Sequence, residues 1–549
     1  MLYSENRKSG KKGICSLIVI LTLTILSGCK LGLKDIEASS DMEAPVFVFD
    51  PQAVRQSLAD LAAQEKSKAE CDKQTKQFYQ NEDQGLVWMS GKDGIGDQAD
   101  ILVKWLKEAE KEGLSAEVFG TKEIERDLDW LRTRQFDSIP SGSDSIVEDI
   151  NHVAARLDYH LTKACMRYVT GQRYGYMNPH RAFNFMDPQK QDASGRIIRY
   201  RSLFDLEIER PDSTFFAGLL HQITAGDIDE PLKDCQPKDA YYQQLKRMLA
   251  SATGEDSVKR IICNMERCRW RYVKPIQENE KRVVVNIPAF HLYAYGGDTL
   301  LHMKVVCGAT LTKTPLLASE IEWMEVNPQW VIPMSILEKD VARHAGDSAY
   351  FARNRYNIFD KATNQQMNVE EVSRAMLLSG NYRVAQESGT HNSLGRIVFR
   401  FKNNHSVFLH YTSNPGAFAR ERRAISHGCV RVHRPYELAS FVLDNPDEWL
   451  LERIAISMGM KAQTERGRKA IASYRAANGD NEDIKLVGYV PVKPRVPIYI
   501  IYYTLWPDEQ GVLQEWPDVY GYDNVIWKHL KPFVKYEQDQ RATADATVG

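Results

Sequence analysis

Hydrophobic positions change their spacing near residue 281, and that change divides the chain. From about 50 to 255 the apolar residues recur every three or four positions, as in helices with one buried face. "DPQAVRQSLADLAAQ" places Asp50 as an N-cap and Pro51 at the first helical position. "DQADILVKWLKEAEKEG" aligns Leu102, Trp105, Leu106 and Ala109, with Gly113 as its stop. "NHVAARLDYHLTKACMRYVTG" repeats the arrangement with Val153, Leu157, Leu161 and Tyr168, ending near Gly171. His152 and His160 within it read as structural. From 281 the pattern turns extended. "KRVVVNIPAFHLYAY", a "GGD" turn and "TLLHMKVVCG" predict one hairpin. "GRIVFRF" and "HSVFLHYT", around Asn403 and Asn404, predict a second over 395–412. "VPIYIIYYTLWPDEQGVLQEW" (496–516) predicts a third, turning between Asp508 and Gly511. A polar, aromatic-dotted stretch at about 330–380 predicts an insertion that covers a site or moves, and 461–485 predicts a charged helical insertion. The fold class expected is α+β: a helical scaffold domain over 50–280, then a mainly β domain over 281–535 carrying both insertions. Residues 536–549 read as a disordered tail.

The first residues stand apart from this pattern. Arg7, Lys8, Lys11 and Lys12 precede the apolar run "ICSLIVILTLTILSG" (14–28), which is short for a membrane span and ends in "LSGC". This resembles a bacterial lipoprotein signal peptide over 1–28, with Cys29 as the lipidated residue and 29–49 as a tether. The expectation is a lipid-anchored protein of the cell envelope, facing the periplasm. Composition adds little beyond this: 43% hydrophobic and 26% charged residues are ordinary for a folded protein, and a net charge of −2 gives no global pull toward nucleic acid.

Export makes the cysteines informative. Apart from Cys15 and Cys29, seven remain, and an odd number leaves at least one unpaired within the chain. The candidate is Cys429, in "AISHGCVRVHRP" (424–435). His410 ends the strand "SVFLH" nineteen residues earlier and supplies an imidazole that can take the thiol proton. Such a pair attacks an amide or ester carbonyl and passes the acyl group to an amine or water. Gly428 lets backbone approach a ligand, and amides of this turn suit an oxyanion. Arg420, Arg422, Arg423, Arg431 and Arg434 form a local cationic patch expected to lower the thiol pKa and attract carboxylates, Arg431 foremost. Zinc on His427, Cys429 and His433, with His410 or His405, would need a spacing that matches no familiar closed site, so no metal is expected. Disulfide pairing has no candidate nearby in sequence.

"SHGCVRV" (426–432), after a strand ending in histidine, resembles the signature of the L,D-transpeptidases, cysteine enzymes of bacterial peptidoglycan. "NMERCRWRY", "TPLLASEIEWMEVNPQWVIP", "QESGTHNSLGRIVFRFKN" and "VFLHYTSNPGAFARERRAISHGCVRV" follow in the order of that family's large multi-domain branch. "FYQNEDQGLVW" and "DVYGYD" extend the likeness over about 75–530. The resemblance implies Cys429 as nucleophile and His410 as general base and proton donor. It implies that Ser426, His427 and Gly428 form the turn that orients the histidine and shapes the oxyanion site. Arg431, Asn392 and Gly395 are implied in substrate binding, and 330–380 as the lid. It further implies a tetrapeptide-stem acyl donor, a diamino acid of another stem as acceptor, and no cofactor.

Three departures qualify the likeness. "AYYQQLKRMLASATGEDSVKRIICN" is too short for the helical peptidoglycan-binding module common in that branch, and His427 replaces a second serine. Phe408 stands where an aromatic hydroxyl sometimes occurs. The alternatives are an L,D-carboxypeptidase using water as acceptor and a non-catalytic wall-binding lipoprotein. A protease acting on proteins lacks its flanking signatures.

Overall fold

The computed structural model describes residues 46–137, 149–192, 194–277, 279–297, 299–479, 483–508 and 510–535. The signal peptide, Cys29, most of the tether and the expected tail lie outside these residues. The end of the tether does not behave as one. Phe47 is buried, and its N–H donates to the Gly91 carbonyl at 2.9 Å, so ordered packing begins before the first helix.

The N-terminal half is helical for the reasons its spacing gives. Asp50 caps Pro51–Gln64 by accepting the Gln52 and Ala53 N–H groups. The long helix Ile150–Tyr174 buries Val153, Leu157, Leu161 and Tyr168 at the centre of the bundle. It runs on through Gly171, where the Tyr176 ring lies 2.2 Å from where a Cβ would be. Here glycine makes room for a neighbour and does not stop the helix.

The C-terminal half is built on a ten-stranded sheet. Its strands are β1 (Phe204–Asp205), β2 (Arg282–Asn286), β3 (His291–Gly296), β4 (Thr299–Gly308) and β5 (Leu316–Val326). After the lid, whose strands are β6 (Trp330–Val331), β7 (Tyr356–Asp360), β8 (Gln366–Met367) and β9 (Tyr382–Gln386), come β10 (Ile397–Phe401) and β11 (Leu409–His410). β12 (Ala424–Ser426), β13 (Val430–Val432) and β14 (Tyr489–Ile501) complete it. The order is β10-β11-β13-β4-β3-β2-β14-β5-β1, with β12 beside β4, and β10 pairs again with β5 so that the sheet curls onto itself.

Three elements differ from the pattern-based expectation. The first hairpin is a meander, because residues 287–290 break "RVVVNIPAFHLYAY" into β2 and β3. The third is split. Tyr489–Ile501 joins the main sheet between β2 and β5, and only Leu505–Pro507 and Leu513–Glu515 form a hairpin. Ile498 and Ile500 are buried on one face, Tyr499 and Ile501 on the other. A strand covered on both faces reads as a continuous apolar run, which does not say which strands flank it. Third, β1 comes from the helical half, and Leu203, Phe204, Ile262 and Trp270 pack into the core of the sheet. A boundary at 280 therefore cuts through a shared core.

The insertion is a compact layer with its own core of Ile332, Leu337, Phe351, Ile358, Leu377 and Val384. It has a four-stranded sheet in the order β6-β9-β7-β8. The charged insertion carries the helix Glu465–Asn478. Among the described residues no helix is long and apolar enough to cross a membrane.

Candidate active site

Strands β11 and β13 run parallel, with Leu409 opposite Val430 and His410 opposite Arg431. The Val430 N–H donates to the Phe408 carbonyl at 3.0 Å, which sets Cys429 level with Phe408. Leu409, Val430 and Val432 are fully buried in the core. Because side chains alternate, Phe408, His410, Cys429 and Arg431 share the opposite face. Cys429 and His410 thus stand one strand across and two residues along, with Cα atoms roughly 8 Å apart.

The turn before the cysteine is held from inside and from one side. Ser426 Oγ donates to the Cys429 carbonyl at 2.6 Å and accepts the Gly428 N–H at 3.2 Å. Gly428 has φ +123°, a backbone region open to glycine, although a Cβ there would meet nothing nearer than 3.7 Å. Conformation, not space, dictates this residue. The Gly428 N–H is already bonded to Ser426 Oγ and so is not free for an oxyanion. Beside the turn runs the loop 309–315. Thr314 Oγ1 donates to the Gly428 carbonyl and accepts the Gly308 N–H, both at 2.8 Å. Thr312 Oγ1 donates to the Ser426 carbonyl at 2.8 Å. Tyr520 OH donates to the Gly308 carbonyl at 2.7 Å and accepts the Thr314 N–H. The sequence reading missed these braces. Their only signal is the pair of hydroxyls in "LTKTP", directly after a strand.

His427 is exposed, with Nε2 at 3.8 Å from Asp340 Oδ2 of the lid. The groups that contact the His410 ring come from elsewhere. The backbone of Leu394 and Tyr411 favours the charged ring, but burial and then Arg431 outweigh it and push the pKa down to about 4. Nδ1 is buried without a hydrogen bond of proper geometry.

The loop carrying Leu394 accounts for the two residues expected to touch substrate. Asn392 is buried, donates to the carbonyls of Pro328, Gln386 and Glu387, and accepts the Leu394 N–H at 2.8 Å. Gly395 has φ +66°, and a Cβ there would stand 2.6 Å from the Thr412 nitrogen. Both shape the loop that carries Leu394 beside the His410 ring.

The cationic patch also resolves differently. Arg423 is buried on the carbonyls of Val305, Phe290 and Arg420, and Arg434 pairs with Glu437. Arg431 alone of that patch acts on the thiol, and its buried Nε has no partner among the described residues. A second arginine, Arg400 on β10, acts there too. Its signal is a charge inside the apolar run "IVFRF". Burial outweighs both and raises the Cys429 thiol, so the cations do not lower it below its usual value. Thiol and imidazole both rest neutral, and Cys429 Sγ leans toward the Ser406 carbonyl at 3.6 Å. All seven described cysteines are unpaired. His405 meets Asp205 and His433 stacks near Phe418, so the histidines considered for zinc point to different partners.

Comparison with known proteins agrees with this arrangement. Residues 280–456 match the family described as the L,D-transpeptidase catalytic domain (YkuD), and residues 73–249 match a Scaffold domain. A Haemophilus influenzae protein named "Putative L,D-transpeptidase" is 28% identical over 304 residues, which cover 53% of this chain and 55% of that protein. The match therefore spans about half the length of the curated relative.

Proposed function

We propose, for a chain that carries an L,D-transpeptidase catalytic domain, that Cys429 forms an acyl-enzyme with a peptidoglycan tetrapeptide stem. His410 accepts the thiol proton as Sγ attacks the carbonyl of the third residue, a diamino acid. The Cys429 N–H stabilises the oxyanion. Collapse breaks the bond to the terminal D-residue, whose amine leaves with the proton from His410. The amine of a second stem then attacks the thioester, gives its proton through His410 and regenerates the thiol. A neutral imidazole is the form needed for the first step, and the observation that carries the reading is the shared face of Cys429 and His410 on adjacent strands.

Incubating the protein with purified tetrapeptide muropeptides and resolving the products by mass spectrometry tests this. Cross-linked dimers are expected. Tripeptides in their place would make it a carboxypeptidase, and unchanged tetrapeptides would leave a wall-binding protein. The reading also places the protein in the envelope, facing the periplasm and anchored by lipid on Cys29. Loss of membrane association in Cys29→Ser tests the anchor.

A further inference from the structure

Arg400 occupies a special place on the face that carries the thiol. β10 pairs with β11 so that Val398 faces His410, which brings Arg400 level with Phe408. Its guanidinium lies 4.2 Å from the Phe408 ring centroid. Cys429 is level with Phe408 on the other side, so Arg400 and Cys429 flank one aromatic ring from adjacent strands. Their backbones stand about 9–10 Å apart, two strand spacings, and the arginine side chain folds into that gap.

The guanidinium is held by one edge. Nε and Nη2 donate to the two carboxylate oxygens of Glu325 at 3.1 and 2.9 Å. Among the described residues nothing accepts from Nη1, and the side chain keeps one-fifth of its surface open to solvent. An arginine clamped on one edge and stacked on a ring has little freedom left to lose on binding a second carboxylate with the other edge. Of the other arginines near the motif, Arg423 is taken up by carbonyls and Arg434 by Glu437, while Arg431 lies in the thiol's own strand with its Nε buried.

We infer that Arg400 binds the terminal carboxylate of the acyl donor, with Glu325 and Phe408 fixing its orientation. The inference rests on the proposed reaction. In a tetrapeptide donor that carboxylate lies three bonds from the carbonyl under attack, so a cation beside Phe408 meets it when the carbonyl is over Cys429. Arg400 also acts electrostatically on both reacting groups, which accords with a position at the mouth of the site.

Two measurements on the full chain test it. The first compares stems ending in a free carboxylate with stems ending in a carboxamide. Wild type should favour the acid. Arg400→Gln should raise KM for the acid by about 10- to 100-fold more than for the amide, and Arg400→Lys should restore only part of that difference. The second measures alkylation of Cys429 by anionic iodoacetate against neutral iodoacetamide, with Cys429→Ala as background. The iodoacetate-to-iodoacetamide ratio should fall several-fold in Arg400→Gln and rise in Glu325→Gln, which frees the cation from its counter-charge. Equal acid-to-amide preference in wild type and Arg400→Gln, or an unchanged alkylation ratio in both variants, overturns the proposal. If wild type turns over neither stem, the reaction proposed above fails, and the alkylation ratio still decides whether Arg400 forms an anion site beside the thiol.

Discussion

Ser426 Oγ donates to the carbonyl of Cys429 at 2.6 Å, closing a ring over the four residues of the turn that presents the thiol. The same oxygen accepts the Gly428 N–H, so one hydroxyl satisfies two backbone groups. Ser426→Ala leaves both without a partner in a buried turn, at about 1–3 kcal/mol. Activity should fall at least tenfold, with a melting temperature lowered by a few degrees. An unchanged rate of acyl-enzyme formation would mean the turn holds its shape without the serine.

Thr314 supports the turn from the neighbouring loop. Thr314→Val keeps the shape and removes the bonds to Gly428 and Gly308, so kcat should drop while the far-ultraviolet circular dichroism stays constant. Tyr520→Phe, one bond further out, should have the smaller effect on kcat.

Cys429→Ala should abolish turnover and keep the fold, because the half-buried thiol donates only a long contact to Ser406. Residual cross-linking by this variant in the muropeptide assay would end the acyl-enzyme mechanism.

His410 carries a pH signature. Its folded pKa of about 4 lies below the roughly 6.5 of an unfolded histidine. Between those values the unfolded chain binds a proton that the native chain does not, so stability is complete above about pH 6.5 and falls as pH drops toward 4. The loss is about 3 kcal/mol at full effect. Urea unfolding at pH 7.5 and 4.5 should show this slope in wild type and a shallower one in His410→Phe. His291, also pushed down to about 4 by burial, contributes equally to both proteins and cancels in the comparison.

The resting thiol gives the opposite limb. Since burial raises its pKa, alkylation of Cys429 by iodoacetamide should still be climbing at pH 9. A plateau below pH 7 would instead indicate a preformed thiolate–imidazolium pair.

The shared face of Cys429 and His410 was more legible in the sequence than the strand order. A glycine–cysteine turn and a strand ending in histidine carry their pairing in local sequence, because period-two alternation decides which face each side chain takes. Thr312, Thr314 and Tyr520 were invisible because their partners lie on strands and loops about 114 and 212 positions away. β14 was misplaced because an apolar run buried on both faces does not say which strands flank it. The shared core of the two halves escaped notice because β1 is two residues long.

The lid enters and leaves at one place. β5 ends at Val326, β10 begins at Ile397, and those two residues are antiparallel partners, while Trp330 and Gln386 pair at the base of the insertion. Topologically the whole layer stands where a tight hairpin turn would suffice. Its core is its own, so it is an exchangeable cassette. Mutational drift or grafting can refashion this layer without disturbing the strands that hold Cys429, and replacing 330–386 by a short turn should leave a folded sheet, checked by circular dichroism and a retained melting transition.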